Sequence, residues 1–401
     1  NVTDPSFEVP SQYRWNLGVK HTLPWEIEMS ADIVLSRVKD EVLWQDIRLV
    51  QTGTAPDGRP IYTRRSLACP ATCPVDNRSL ADQDLMLTNT GEGEGTVFAI
   101  DFAKTWRTGA GRFDAYLGYG YQDIKDVHSG TSSTASSNWD SFAVSDPNDP
   151  GLETSNYEIE HQFKGSFTWR KAFFGDYETS VALVGERRSG RPYSFVFGNT
   201  TAGGIWGDPR QGGNARQRHL FYVPNEPGMA GAAIYEVLCS AADVTANPAT
   251  CPNTTTVNAA RSTQFQSDTE AYIQRHELDK YRGRIVPRNS HRSPWLSILD
   301  LRLAQELPIW SDKVRGVLTL DVENFANLLN SDWGQLRQVG FFYAVPVLDV
   351  NRIATTGCPG GSSSCYVFRP RGSAGVPAEP TPTFSALPSV WKVQLGFRIE
   401  F

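Results

Sequence analysis

The chain contains no hydrophobic run long enough to cross a membrane as a helix. Its longest apolar run is FFYAVPVL at 341–348, whereas a spanning helix requires ~20 such residues. Only helices and closed barrels satisfy the backbone polar groups inside a bilayer. Any membrane crossing by this chain is therefore expected to use β-strands.

A basic surface for nucleic acid is also missing. The net charge is −6, and no cluster of Lys and Arg is interleaved with aromatic residues, as base-stacking proteins require. No nucleic-acid partner is expected. The chain starts at Asn1 without a basic and then apolar leader, so we expect a processed form or a fragment of a longer polypeptide.

The residue constellations of common enzymes are absent as well. There are six His, no G-x-S-x-G and no Gly-rich phosphate loop, so we expect no catalytic residue, no cofactor and no metal site. Glu158 and Glu160 stand two apart on a predicted strand and share its polar face. The acidic residues around His276 match no metal-ligand spacing, and a short surface helix within 262–281 is the better interpretation.

Six cysteines form three local couples, which favours disulfides over zinc because neither the CxxC spacing nor accompanying His ligands are present. Close pairing in Gly-, Pro- and Ser-rich segments predicts short-loop disulfides in an oxidising compartment such as the periplasm or the cell surface. The predicted couples are Cys69 with Cys73, Cys239 with Cys251, and Cys358 with Cys365.

Alternation of apolar and polar residues predicts about nine strands, most of them long enough for a tilted transmembrane strand. The last strand is typical: Val393, Leu395, Phe397, Ile399 and Phe401 share one face. The other stretches with this period are 12–23, 27–35, 96–106, 112–122, 157–170, 178–188, 295–308 and 314–325.

Long and short connections alternate along the chain. Short turns are predicted near residues 24, 109, 174 and 310, and the links between them are long, at about 51–94, 128–155, 198–294 and 326–389. This alternation is typical of outer-membrane barrels, which have short periplasmic turns and long extracellular loops. Nine strands are an odd number, so we expect the carboxy-terminal part of a larger barrel, with Phe401 on the periplasmic side.

Three stretches resemble a known family. Residues 163–198 (FKGSFTWRKAFFGDYETSVALVGERRSGRPYSFVFG), 280–310 (KYRGRIVPRNSHRSPWLSILDLRLAQELPIW) and 320–334 (LDVENFANLLNSDWG) resemble the carboxy-terminal half of TonB-dependent outer-membrane receptors, particularly the Oar-like branch. The resemblance covers most predicted strands and turns and is poor at 51–94, 199–260 and 335–389. It implies an all-β antiparallel barrel of 22 strands, to which this chain would contribute strands 14 to 22.

The resemblance also implies a function and partners. A plug, absent from this chain, would fill the lumen, and TonB would act on the plug to drive uptake or export of a ligand through the Gram-negative outer membrane. The expected partners are outer-membrane lipid, upstream barrel strands and plug, TonB, and the barrel-assembly machinery, which would recognise Phe397, Ile399 and Phe401.

Ligand contact is expected at the long insertion 198–294 and its base, because aromatic and Arg side chains there can stack and hydrogen-bond. The candidates are Tyr193, Phe195, Trp206, Arg210, Arg216 and Tyr222; a packing role within the loops is the alternative. Tryptophans near strand ends are typical of interfacial girdles: Trp15, Trp25, Trp106, Trp169, Trp310 and Trp391. A plugless pore or surface adhesion barrel, and less so a soluble secreted β-rich hydrolase, remain alternative functions.

Overall fold

Nine long antiparallel strands form the main element of the computed structural model, which describes residues 1–64, 83–128, 130, 132–198, 205–207, 218–309, 311–371, 377 and 379–401. The prediction of an all-β chain is confirmed. The strands are β1 Ser11–Leu23, β2 Ile27–Asp46, β3 Glu94–Thr108, β4 Gly111–Asp126, β5 His161–Phe174, β6 Tyr177–Arg188, β7 Leu296–Ile309, β8 Ser311–Glu323 and β9 Lys392–Glu400.

Each long strand pairs with the strand that precedes it in the chain. The spatial order is therefore the chain order from β1 to β9, and every pairing is antiparallel. All nine predicted strands are present, although β2 is longer than the alternation predicted. A register shift opposite Ser11 leaves Lys39 as an extra residue on β2, and such a bulge interrupts the alternation that identifies a strand.

The connections alternate in length as the sequence predicts. One end of the sheet carries the short links, at Pro24–Glu26, at 109–110, at 175–176 and between Ile309 and Ser311. The opposite end carries the long links, which occupy 47–93, 127–160, 189–295 and 324–391. Trp310 lies outside the described residues.

The two faces of the sheet differ in polarity. Apolar side chains lie opposite one another from strand to strand, as in Leu17 with Ile33 and Leu183 with Leu301. Polar side chains fill the other face, where Lys164 lies opposite Glu186 and Arg302 lies opposite Asp321. Further members of the apolar face are Ile100, Tyr119, Phe163, Phe167, Val181, Leu303, Leu320, Val322, Val393 and Leu395.

The sheet has two open edges among the described residues. β1 pairs only with β2, and β9 pairs only with β8. Nearly every residue of both edge strands is exposed on both faces. Within the described chain the sheet does not close into a barrel.

Shorter elements occupy the long connections. The helices are α1 Ala135–Asp140, α2 Ala241–Ala246, α3 Ala259–Arg275, α4 Phe325–Leu329 and α5 Ala386–Ser389, with 3-10 turns at Pro24–Glu26, Asp279–Tyr281 and Pro359–Gly361. The short strands are Val2–Thr3, Leu49–Thr54, Pro60–Arg64, Leu85–Thr90, Glu153–Thr154, Pro192–Val196, Tyr222–Val223, Ile234–Tyr235, Arg284–Ile285, His291–Arg292, Arg337–Gln338, Ala344–Pro346, Asp349–Ala354, Cys365–Arg369 and Thr383–Phe384. Among the described residues, no helix is long and apolar enough to span a membrane.

Among the described residues, the largest buried apolar cluster lies in these connections and not on the sheet. We call it the loop core. It combines 189–295 with 324–391 and reaches into 47–93 through Ala55. Its centre is aromatic, with Phe197 against Phe221 and Phe368 at ring-centroid distances of 5.2 and 5.7 Å. The described parts of the long connections therefore fold together as one packed body at one end of the sheet, which we call the loop body.

Candidate functional site

The predicted ligand-contact residues lie inside the loop core. Tyr193, Phe195, Trp206 and Tyr222 are all buried, and Phe195 has no exposed surface. Phe195 packs edge-on against Tyr193 at 5.5 Å. Arg210 and Arg216 lie outside the described residues. Burial gives the four described aromatic residues a packing role in this conformation, so their contact with a ligand stays a prediction.

A buried ion pair fastens the first long connection to the loop core. The Arg59 Nη2 lies 2.7 Å from the Asp57 carboxylate, and neither side chain has exposed surface. The Arg59 guanidinium also lies over the Trp206 ring at 4.7 Å and donates to the carbonyl oxygen of Leu220. The Tyr366 hydroxyl donates to the same Asp57 carboxylate at 2.8 Å. Each charge is therefore paired and hydrogen-bonded, as buried charges require.

A second polar network joins the loops to the sheet. Arg288 is buried and donates to the carbonyl oxygen of Val127 and to the carboxylate of Asp126, at 3.0 and 3.2 Å. Arg292 forms ion pairs with both Glu158 and Glu160. Glu158 and Glu160 were predicted to lie on a strand, but β5 begins only at His161. Both carboxylates instead bind the Arg292 guanidinium at the end of 189–295. This network fixes the loop body on the ends of β4 and β5.

The connection 127–160 is pinned to the end of β2 by a turn. The backbone N–H of Asn148 donates to the Asp146 carboxylate, which makes an Asx turn. The Asn148 side chain accepts from the backbone N–H of Asp46 and donates to its carbonyl oxygen, both at 2.9 Å. Burial raises the pKa of Asp146, whose carboxylate accepts from the Tyr62 hydroxyl.

An open cleft lies where the sheet divides. The outer half of β2 pairs with Leu85–Thr90 instead of β3, which begins only at Glu94. Leu85–Thr90 does not pair with the end of β4. A cavity of about 510 Å³ lies between these two segments. We call it the sheet-split cleft. It is lined by Val38, Val42, Trp44 and Leu87 on apolar surfaces and by Glu41, Glu92, Lys125, Asp126, His128 and Asn138 on polar ones.

The charges of the sheet-split cleft are unevenly paired. Lys125 lies 3.0 Å from Glu94, and Asp126 is paired with Arg288. Within the described chain, the carboxylates of Glu41 and Glu92 have no ion-pair partner. The cleft therefore combines an indole and aliphatic surface with net negative charge. Such a surface can accommodate a ligand that carries both an apolar part and a cationic group.

The chain matches no protein-family model and no curated protein.

His128 closes one side of the sheet-split cleft as a neutral imidazole. Its Nδ1 accepts from the backbone N–H of Gly130 at 3.0 Å, and its Nε2 donates to the carbonyl oxygen of Asn138 at 2.6 Å. Only the neutral ring satisfies both contacts, because Nδ1 must carry a lone pair. Burial lowers the pKa of His128 below its usual range. The ring thereby fastens α1 to the end of β4.

Two of the three predicted disulfides are present. Cys239 is bonded to Cys251, and Cys358 is bonded to Cys365. Both lie in the loop body, and the first closes the segment that contains α2. Cys69 and Cys73 lie outside the described residues. No group of three or more His, Cys, Asp or Glu side chains in the described ranges has an arrangement that could hold a metal ion.

The sequence interpretation did not identify the sheet-split cleft. Its residues come from the end of β2, from the short strand Leu85–Thr90 and from the end of β4, and their meeting depends on the division of the sheet. The residues expected to be recognised by the barrel-assembly machinery lie at the end of the chain. Phe397, Ile399 and Phe401 are exposed on or just beyond β9.

Proposed function

We propose that the protein is a TonB-dependent outer-membrane transporter or receptor, similar to the Oar-like branch, and that its nine strands form part of the barrel wall. The observation that carries this proposal is the sheet itself: neighbouring strands pair in chain order, one face is mainly apolar, and the long connections lie at one end. Transmembrane barrels combine these three properties. The open, doubly exposed edges are consistent with further strands on both sides.

Aromatic rings support the same orientation. Near the short turns, Trp106 stacks on Phe113 at 5.3 Å. Near the long connections, Tyr119 contacts Phe163 at 4.8 Å, and Trp295 stacks on His161 at 6.1 Å. Two aromatic bands at opposite ends of the same apolar face resemble the girdles at the two interfaces of a membrane barrel. The loop body would then be extracellular, and β9 would end in the periplasm.

The proposed roles of the parts follow from this placement. The sheet would line the lumen with its polar face, and a plug supplied by upstream sequence would occupy that lumen. The sheet-split cleft would receive the ligand at the extracellular end. TonB would act through the plug, and the assembly machinery would bind the strand that carries Phe397 and Ile399.

The decisive experiment first fractionates the cell membranes and then tests whether the protein binds TonB. The intact gene product is expressed in a Gram-negative host, and we expect it to stay with the outer membrane after a carbonate wash and to migrate faster on gels when unheated. We also expect the detergent-solubilised protein to retain the periplasmic domain of TonB on an affinity column. Recovery in the soluble fraction without detergent would overturn the membrane assignment. Membrane insertion without retention of TonB would instead favour a plugless pore or an adhesion barrel.

A further inference from the structure

Two exposed tryptophans face a groove at the loop end of β7. Trp295 and Trp333 expose 43% and 55% of their surface and line a groove of about 350 Å³. We call it the tryptophan groove. Its other lining residues are Ser297, Ile298, Leu299, Ala326, Asp332, Gly334 and Gln335.

The groove lies where β7 extends beyond its pairing with β8. That pairing ends at Leu301 opposite Val322, so among the described residues the first part of β7 has no paired strand on that side. Ser297 and Leu299 lie on the same face as Leu301, since side chains two apart on a strand point the same way. The floor of the groove is therefore continuous with the apolar face of the sheet.

Trp333 is held in place by two buried asparagines. Asn324 donates from its side chain to the carbonyl oxygen of Gly334 at 3.0 Å, and its backbone N–H donates to the Asp300 carboxylate at 2.7 Å. Asn327 donates to the carbonyl oxygen of Trp333 at 2.8 Å. Gly334 has a φ of +64°, and a Cβ there would lie 1.9 Å from the Asn324 side chain. A rigid turn therefore presents this exposed indole.

Two arginines flank the groove. The Arg187 guanidinium lies 5.4 Å from the centre of the Trp295 ring, and Arg187 is directly opposite Ser297 in the sheet. Arg337 donates from Nε and Nη2 to the Gln335 side chain at 2.9 and 2.7 Å. Within the described ranges neither guanidinium has a carboxylate partner, while Asp332 is the one carboxylate that lines the groove. The positive charge is thus available to an anion.

We propose that the tryptophan groove binds one phosphate-bearing lipid of the outer leaflet. The inference rests on the proposed membrane location. An acyl chain would lie along Leu299 between the two indoles, and the phosphate would be bound by Arg187 and Arg337. Arg is suited to phosphate because its planar guanidinium donates two parallel hydrogen bonds. Tryptophan suits the same depth, since its ring is apolar and its N–H is polar.

Lipid retention tests the proposal. The intact gene product is delipidated in neutral detergent and mixed with phosphatidylglycerol, and bound lipid is counted by native mass spectrometry. We expect one retained phosphatidylglycerol. Binding should be roughly tenfold weaker in Arg187→Gln, since a hydrogen bond to a charged group contributes about this much, and also weaker in Trp333→Ala, which removes an indole that would contact the acyl chain. Arg187→Lys should retain part of the binding. Inorganic phosphate alone should not displace the lipid at equal concentration, and diacylglycerol, which lacks the phosphate, should be retained less.

Matched controls lie at the short-turn end of the sheet. Trp25 and Arg107 are also exposed, so Trp25→Ala and Arg107→Gln should bind the lipid as the wild type does. Equal retention by all variants, or equal retention of diacylglycerol, would overturn the inference while the membrane assignment stands. Recovery of the protein in the soluble fraction would overturn both.

Discussion

Leu395 of β9 lies directly opposite Leu320 of β8, and the neighbouring pair, Gln394 and Asp321, lies on the other face of the sheet. Leu395 is 73% exposed, although it is a large apolar side chain in the middle of a strand. The proposed membrane location would place this exposed apolar side chain against lipid.

Charge on the apolar face is therefore expected to impair assembly. Leu395→Arg and Phe163→Arg should each cost about 2–4 kcal/mol of folding free energy in lipid. Gln394→Arg and Lys164→Arg, one residue away on the polar face, should fold nearly as the wild type does. Folding yield in lipid vesicles, read as the heat-modifiable band, measures the difference. Equal yields for the two classes would show that the face assignment is wrong.

The Arg59–Asp57 pair provides a second test, in the loop body. Arg59→Met should destabilise the loop body by about 3–5 kcal/mol, because it leaves the buried Asp57 carboxylate without its counter-ion. The double variant Arg59→Met/Asp57→Asn should cost clearly less than the single one, since no buried charge remains. Hydrogen exchange of residues 189–295 reports the loss. If the cost of the double variant equals the sum of the costs of Arg59→Met and Asp57→Asn, the two side chains are not coupled and the prediction is wrong.

Reduction of the disulfides should loosen the loops and leave the sheet intact. The Cys239–Cys251 and Cys358–Cys365 bridges both lie outside the nine strands, and each closes a short loop, so each bond is expected to contribute about 2–4 kcal/mol. Alkylation and mass spectrometry should find no free thiol in the native protein, Cys69 and Cys73 included. The strand signal in circular dichroism should survive reduction; its collapse would mean that the bridges support the sheet.

Acid should weaken the contact between α1 and the end of β4. Burial places the pKa of folded His128 below that of the unfolded chain, ~6.5. Between these two values the unfolded state binds more protons than the folded state. The contribution of His128 to the free energy of unfolding is therefore fully present above about pH 6.5 and decreases as the pH falls below it. Asp126 and Glu41 favour the protonated ring and Arg288 opposes it, but burial is the largest influence.

Hydrogen exchange of residues 132–140 at pH 7.5 and 5.5 measures this effect. We expect faster exchange at the lower pH after correction for the intrinsic rate. His128→Asn should remove the difference, whereas His21→Asn, at the exposed end of β1, should keep it. A wild-type protein whose corrected exchange is the same at both pH values would contradict the role of His128.

The strands were predictable from the sequence because their signal is local. An apolar residue at every second position, as in Phe163, Phe167 and Trp169, is enough to identify a strand and its apolar face. Short turns such as 109–110 and 175–176 then fix the register of each hairpin. A short surface helix within 262–281 was predicted from equally local signals, but α3 begins at Ala259 and buries Phe265 and Tyr272 in the loop core.

The contents of the loop body were not predictable in this way. Tyr193 and Phe195 look like ligand-contact residues in the sequence, but they are buried against residues more than 70 positions away, such as Tyr272 and His291. Burial depends on which distant segments pack together, and no local pattern encodes that. The prediction of the Cys358–Cys365 bridge succeeded because its partners are only 7 residues apart.

The sequence by itself determined the nine strands, their two faces and the alternation of short and long connections, because each depends on neighbours along the chain. Only the tertiary structure decided where the sheet divides, which aromatic residues are buried, and that Trp295 and Trp333 face one groove. These features depend on strand lengths and long-range packing. The sheet divides because the outer half of β2 pairs with Leu85–Thr90, which does not pair with the end of β4.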